Sequence, residues 1–347
     1  MPVPEPLGGD FSATRLRHLA RQVWPGLPEA DVDAAVDAGA LSALRDGGEA
    51  AEAFAIASAG VAARLQRQGP PPDAPLHLDW QEAGLGVVIP VLPASPGAGA
   101  TVAATVIADA LQLVGWRVLQ VDTADPARSG LSVAAASDGP LMAGPDQAVR
   151  IRLSWRGRGL LAQLRTDLPV LSPGMVPPPP HWAPVPMWGS AQITVADLSY
   201  DAWRLAANLF TGPGMWLRDG RPTPRPVLVV RPTRPSLRAA EQVLARLETW
   251  IAAGIAVPPI ALLVTGAKRW PEGVAGAAGR RVHALMDRVV FLPQHSTVET
   301  AGITSQITPE PLRNAVTPLL RQWGLAPEST GRKTRIFRGN KEKKGDR

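Results

Sequence analysis

Eight residues near the start of an apolar stretch, Ala94-Ser95-Pro96-Gly97-Ala98-Gly99-Ala100-Thr101, carry the clearest chemical signal in the chain. They lie between the apolar run GVVIPVL (86–92) and the helical pattern TVAATVIADALQLV, so a strand passes into a helix through a Gly-rich turn. Such a turn points backbone N–H groups and the positive end of a helix dipole at one spot, which suits a phosphate or another anion. Measured against G-x-x-x-x-G-K-[ST], the turn keeps Gly99 and Thr101 but has Ala94 for the first glycine and Ala100 for the lysine. The backbone cradle is expected without its cation. Gly97 and Gly99 therefore read either as part of an anion site or as a tight packing turn.

Other reaction classes find little support. The five histidines, His18, His77, His181, His283 and His295, are scattered without ligand spacing, and no H-E-x-x-H pattern or G-x-S-x-G elbow occurs. With no Cys there is no thiolate metal site, disulfide or Cys nucleophile, which fits an intracellular chain. The start, MPVPEPLGGDFSATRLRHLA, does not read as a secretory signal. The most apolar stretch, Gly97 to Trp116, contains Asp109 and is expected to be a buried helix, so no membrane span is predicted.

The elements that must hold the turn come from the apolar pattern. Short, mostly apolar runs at 86–92, 117–122, 193–198, 226–230, 260–264 and 288–293 predict buried strands. Helical spacing at 101–114, 203–210, 235–253, 272–286 and 308–323 places helices between them. This alternation predicts an α/β fold with a doubly wound, mostly parallel sheet over 86–325. Ahead of it, residues 1–67 read as a small helical module and 68–85 as a Pro-rich linker. Residues 148–166 alternate apolar and basic side chains about a turn at Gly157 to Gly159, predicting an antiparallel hairpin with one wet, basic face. A long Pro-rich excursion follows, in which Trp182 and Trp188 best fit an exposed partner contact.

Charge is concentrated at one end. The net charge is +6, and the last 17 residues alone hold eight basic groups against Glu342 and Asp346, so the rest of the chain is neutral. Residues 326–347 are expected to form a basic, disordered tail, with 331–347 as its polybasic part and loose nucleic-acid contact as one role.

The run from Ala94 to Leu131 resembles the MinD/ParA family of deviant Walker A ATPases, a branch of the P-loop NTPases. In that family K-G-G-x-G-K-T opens a helix, a G-x-x-V-L-x-x-D strand follows, and a D-P element forms the first switch. Gly115-Trp116-Arg117-Val118-Leu119-Gln120-Val121-Asp122 and Asp125-Pro126 match the two later elements. ITVADLSYDAWR stands where the family has its Walker B strand, and VLVVRPTRPSLRAAEQVLARL and RVVFLPQHSTVETAG resemble its later strands. The resemblance covers about 86–325. It implies ATP and Mg²⁺ as cofactors, Gly97, Ala98, Gly99, Ala100 and Thr101 at the nucleotide, Thr101 and Asp197 at the metal, and Asp122 or Asp125 near a catalytic water.

The departures from the family pattern fall on the charges. Ser95 stands for the signature lysine and Ala100 for the lysine of the loop; Thr265 stands where the family often has an Asn, and Pro293-Gln294-His295 where it often has Pro-x-Asp. Phosphoryl transfer depends on positioning and charge stabilisation, so the substitutions imply a degenerate site with weak or lost nucleotide binding and little hydrolysis. An Arg from elsewhere could substitute, Arg128 being nearest in sequence. The implied role is a cytoplasmic, homodimeric regulatory or positioning protein with a protein partner, of the partition, secretion or pilus placement, or conjugation type, and the use of 31 Arg against five Lys suggests a GC-rich bacterial source. Two alternatives stand beside it: an active ATPase using an Arg or a partner's cation, and a nucleic-acid-associated module acting through its basic tail and hairpin.

Overall fold

The computed structural model describes residues 77–328, apart from 144–147, 169–170, 172 and 186–187. The expected helical module (1–67), most of the linker and residues 329–347 of the tail lie outside the described residues.

Eleven strands occur among the described residues: β1 (Leu78–Asp79), β2 (Val87–Pro93), β3 (Val118–Asp122), β4 (Leu141–Ala143), β5 (Val149–Arg156), β6 (Gly159–Thr166), β7 (Ile193–Asp197), β8 (Gly220–Arg221), β9 (Val227–Val230), β10 (Ala261–Thr265) and β11 (Val289–Leu292). Nine form one sheet in the order β11-β10-β9-β2-β7-β3-β6-β5-β4. The neighbours from β11 to β6 are parallel, whereas β5 is antiparallel to β6 and β4 to β5. This is the doubly wound, mostly parallel α/β sheet that the apolar runs predict, with all six expected parallel strands present.

The helices among the described residues are α1 (Ala100–Val114), α2 (Ala202–Leu205), α3 (Arg234–Ala252), α4 (Arg280–His283), α5 (Ser296–Ala301) and α6 (Glu310–Gln322). Period-two alternation along β2 supplies both faces of the sheet. Ile89 and Val91 pack with Val106, Ile107 and Leu111 of α1 and Leu312, Val316 and Leu319 of α6. Val88 and Leu92 face the other way, into the cluster that holds Leu237, Val243, Leu247 and Trp250 of α3. Three layers result, with β2 at the centre.

Several expectations change. Residues 78–85 belong to the fold: β1 pairs with β8, and Trp80 and Leu85 are buried in the core, so the last part of the expected linker is not a spacer. The stretch 203–210 stops as a helix at Leu205, and 272–286, interrupted by Gly273, Gly276 and Gly279, keeps only single turns at 275–277, 280–283 and 286–288. The hairpin is present, yet its basic face is not wet throughout, because Arg156 is buried and Trp155 exposed at its end. Trp182 is fully buried and donates Nε1–H to Pro177 O at 2.9 Å, which overturns its reading as an exposed contact. Trp188 is half-buried against Trp155, their rings 5.5 Å apart.

Arg156 turns inward because Asp109 of α1 is buried beneath it. The carboxylate pairs with the Arg156 guanidinium, accepts Gln112 Nε2–H at 2.7 Å and accepts Thr308 N–H at 2.7 Å. Arg156 also donates Nε–H to Thr304 O at 3.0 Å, while Gln112 Oε1 accepts the N–H groups of Arg158 and Gly159. Helix α1, the hairpin turn and the segment before α6 are thus tied through one polar network.

Candidate functional site

Strand β2 leads through Ala94–Gly99 into α1, and its neighbours are β9 on one side and β7 on the other, while β3, next in chain order among the sheet's strands, lies beyond β7. The order of strands reverses at β2, and ligands of open α/β sheets bind at the carboxyl ends of strands at such a reversal. The Gly-rich turn occupies that place.

The turn is built for backbone approach. Ala98 N–H bonds back to Ser95 O at 3.1 Å, and Gly97 and Gly99 take φ of 71° and 89°, the left-handed region. At Gly99 a Cβ would also come within 3.0–3.2 Å of the Thr265 side chain, so glycine is required twice over. Thr265 Oγ1 donates to Ala98 O, which fixes the middle of the turn. Among the described residues no side chain caps the N-terminus of α1, unlike α3, where Thr233 accepts from Ser236 N–H. The first N–H groups of α1 therefore stay available to an anion.

The acidic residues fall into two kinds. Asp197 ends β7 in register with Val91 of β2 and Asp122 of β3, fully buried between them. Its backbone carbonyl accepts Thr123 Oγ1–H at 2.8 Å, but neither side-chain oxygen has a hydrogen-bond donor among the described residues. The hydroxyls of Thr101 and Ser199 stand beside it but are 3.2 Å from each other, as a pair. Burial, followed by the Asp122 charge, pushes the Asp197 carboxyl up to about 7, against a smaller downward pull from those two hydroxyls. Asp122 is itself raised by burial, though it accepts Ala124 N–H at 3.1 Å and the Ser129 hydroxyl, and Arg165 lowers it.

Asp125 has a different use. Its Oδ1 accepts Ala127 N–H at 2.9 Å, capping the 126–128 turn, and its Oδ2 accepts Leu171 N–H at 3.0 Å. Tyr200 places nearby a buried hydroxyl with no partner among the described residues, its pKa raised by burial and then by Asp125 and Asp122.

The structure thus brings Gly97, Ala98, Gly99, Ala100, Thr101, Asp122 and Asp197 to one end of the sheet. Thr101, Ser199 and the orphaned Asp197 carboxylate offer oxygen donors only, the set that a hard divalent cation such as Mg²⁺ takes, so the residues fit the metal that the resemblance implies. No cluster of three or more His, Cys, Asp or Glu suited to a metal occurs among the described residues. Arg128 is exposed on its turn, whereas the arginine that touches the loop is Arg231, just after β9, whose Nε donates to Gly97 O at 2.9 Å. Sequence spacing concealed Arg231, since its proximity depends on β9 lying beside β2.

No protein-family model and no curated protein matches the chain. Among solved structures it is similar to a chain of the MinC:MinD cell division protein complex of Aquifex aeolicus, at 17% identity over 68% of this chain and 96% of that one, with a TM-score of 0.45. It is also similar to the septum site-determining protein MinD complexed with Mg-ADP from Pyrococcus horikoshii OT3, at 13% identity over 70% of this chain and 100% of that one, TM-score 0.40. A ParA family ATPase from Chlorobium tepidum TLS is similar at 14% identity over 67% of this chain and 96% of that one, TM-score 0.38.

Proposed function

We propose that the chain is a MinD/ParA-like regulatory or positioning protein that binds a nucleotide weakly at the 94–101 turn and hydrolyses ATP slowly or not at all. One observation carries this reading: an uncapped helix N-terminus and an orphaned buried carboxylate share a topological switch point from which both loop lysines are missing. Backbone N–H groups, Thr101 and Asp197 would hold phosphate and Mg²⁺, supplying the ground-state contacts. Each strong donor at a transition state contributes on the order of 10²–10³ in rate, and Ser95 and Ala100 contribute no charge. A homodimer acting on a protein partner in the bacterial cytoplasm completes the reading.

Calorimetric titration of the full chain with Mg·ADP and Mg·ATP, beside a phosphate-release assay, tests it. Binding at high micromolar to millimolar Kd with release near background is expected. Turnover at rates usual for ParA-like enzymes, abolished by Asp197→Ala, would favour the active ATPase; absence of any nucleotide binding would sink the nucleotide reading. Ala100→Lys should tighten binding more than it raises turnover.

The nucleic-acid alternative is weakened at the hairpin. Arg150 pairs with Asp167 at 3.1 Å, Arg152 with Asp138 at 2.5 Å, and Arg156 with buried Asp109. Exposed Arg158, which has no ion pair among the described residues, and the tail remain in its support, so deleting 331–347 should remove most of any retention on DNA at low salt.

A further inference from the structure

We propose that Arg231 is the phosphate-side cation of this site, taking the place of the lysine that the turn lacks at Ser95; the proposal rests on the nucleotide reading above. The substitution follows from strand register. Pro93 of β2 is paired with Val229 of β9, and two residues further along each chain stand Ser95 and Arg231. A positive charge absent from one strand end is thus supplied by the adjacent one.

The guanidinium is already committed to the turn. Its Nε donates to Gly97 O at 2.9 Å, and an ideal Cβ on Gly266 would lie 3.5 Å from its Nη1, so the group spans from the turn to the end of β10. The Arg231 backbone N–H donates to Ser236 Oγ at 2.9 Å, and Ser236 Oγ lies 3.3 Å from Ser95 Oγ. These groups, with Thr233 and Thr265, line a cleft of about 390 Å³ beside the turn. No acceptor among the described residues meets Nη1 or Nη2. With Nε anchored, the terminal nitrogens keep their fork of N–H donors, the geometry that grips two phosphate oxygens at once. Arg234, by contrast, donates Nε–H to Gly273 O at 3.2 Å, and Arg128 is exposed, with no bond to the turn among the described residues.

A merely structural Arg231 would do no more than hold Gly97 O, and substitutions separate the two roles. Arg231→Gln keeps a donor for the carbonyl but loses the charge; Arg231→Lys keeps the charge. Binding of Mg·ADP, pyrophosphate and adenosine to the full chain is measured at two salt concentrations, with the melting temperature of each variant as a check on folding. A charge-assisted contact to phosphate predicts that Gln weakens ADP and pyrophosphate by about 10- to 100-fold, that Lys recovers part of the loss, and that adenosine binding stays unchanged. The salt dependence of ADP binding should flatten in the Gln variant. Wild-type affinity in Arg231→Gln, with wild-type binding intact, would overturn the role of Arg231 and leave the nucleotide reading standing. Failure of the wild-type chain to bind either ADP or pyrophosphate would overturn both.

Discussion

Asp109 and Asp197 are both fully buried carboxylates, one under the hairpin and the other at the switch point, yet their surroundings differ completely. Asp109 is met by a guanidinium, an amide and a backbone N–H, and its network ties three separate segments together. Asp197 has no hydrogen-bond donor on its side-chain oxygens among the described residues, only the Thr101 and Ser199 hydroxyls beside it and another buried carboxylate as its strand neighbour. A buried charge compensated by its own protein is architecture. One left uncompensated marks a place where the protein is complete only with a proton or a cation from outside.

The strongest way to break this contrast is Arg156→Ala, which strands the Asp109 charge. Urea denaturation should show a loss of about 3–5 kcal/mol, the usual consequence of removing one partner from a buried pair. A loss below about 1 kcal/mol would mean that the network is not architectural.

Asp197 makes the opposite prediction. Its folded-state pKa of about 7 lies above the ordinary 3.8, so between about pH 4 and 7 the native chain holds the proton more tightly than the unfolded chain. The stability this contributes is present at low pH and lost as pH rises through about 7. At about 1.4 kcal/mol per pH unit, the full swing is on the order of 4 kcal/mol. Asp197→Asn should shrink that decline, Asp122 keeping a share of its own, and be more stable than the wild type at pH 8 without metal. Identical pH profiles for the two proteins would refute the uncompensated charge.

Gly99→Ala sharpens the comparison at the turn itself. A left-handed φ and the close approach of Thr265 should make it cost about 1–3 kcal/mol in thermal or chemical denaturation. A neutral outcome would show that the turn relaxes freely. Smallest is Arg152→Ser, which breaks the pair with largely exposed Asp138. It should change stability by less than about 1 kcal/mol and leave DNA retention unchanged.

The sheet was legible in the sequence because strands covered on both faces are mostly apolar, as VLVV of β9 and ALLV of β10 are. Strands β1, β4 and β8 were not, since two or three residues carry no period. The turn and Asp197 followed from spacing and from the family resemblance. The inward turn of Arg156 could not be foreseen, because alternation predicts which face a side chain takes and not whether a distant loop covers that face. Arg231 escaped for a related reason: it approaches Gly97 across 134 residues of chain, through strand order alone.

That strand order also dictates when the protein can fold. Central β2 pairs first at Ile193 of β7, 106 residues after Val87, and next at Val227 of β9. At about 5–20 residues per second a ribosome needs roughly 5–20 s to deliver the first partner. Until then VVIPVLP stands unpaired and apolar, with both edges open to a neighbouring chain. Newly made copies therefore pass through an aggregation-prone interval set by topology, and their yield in cells depends on chaperone capacity as well as on final stability.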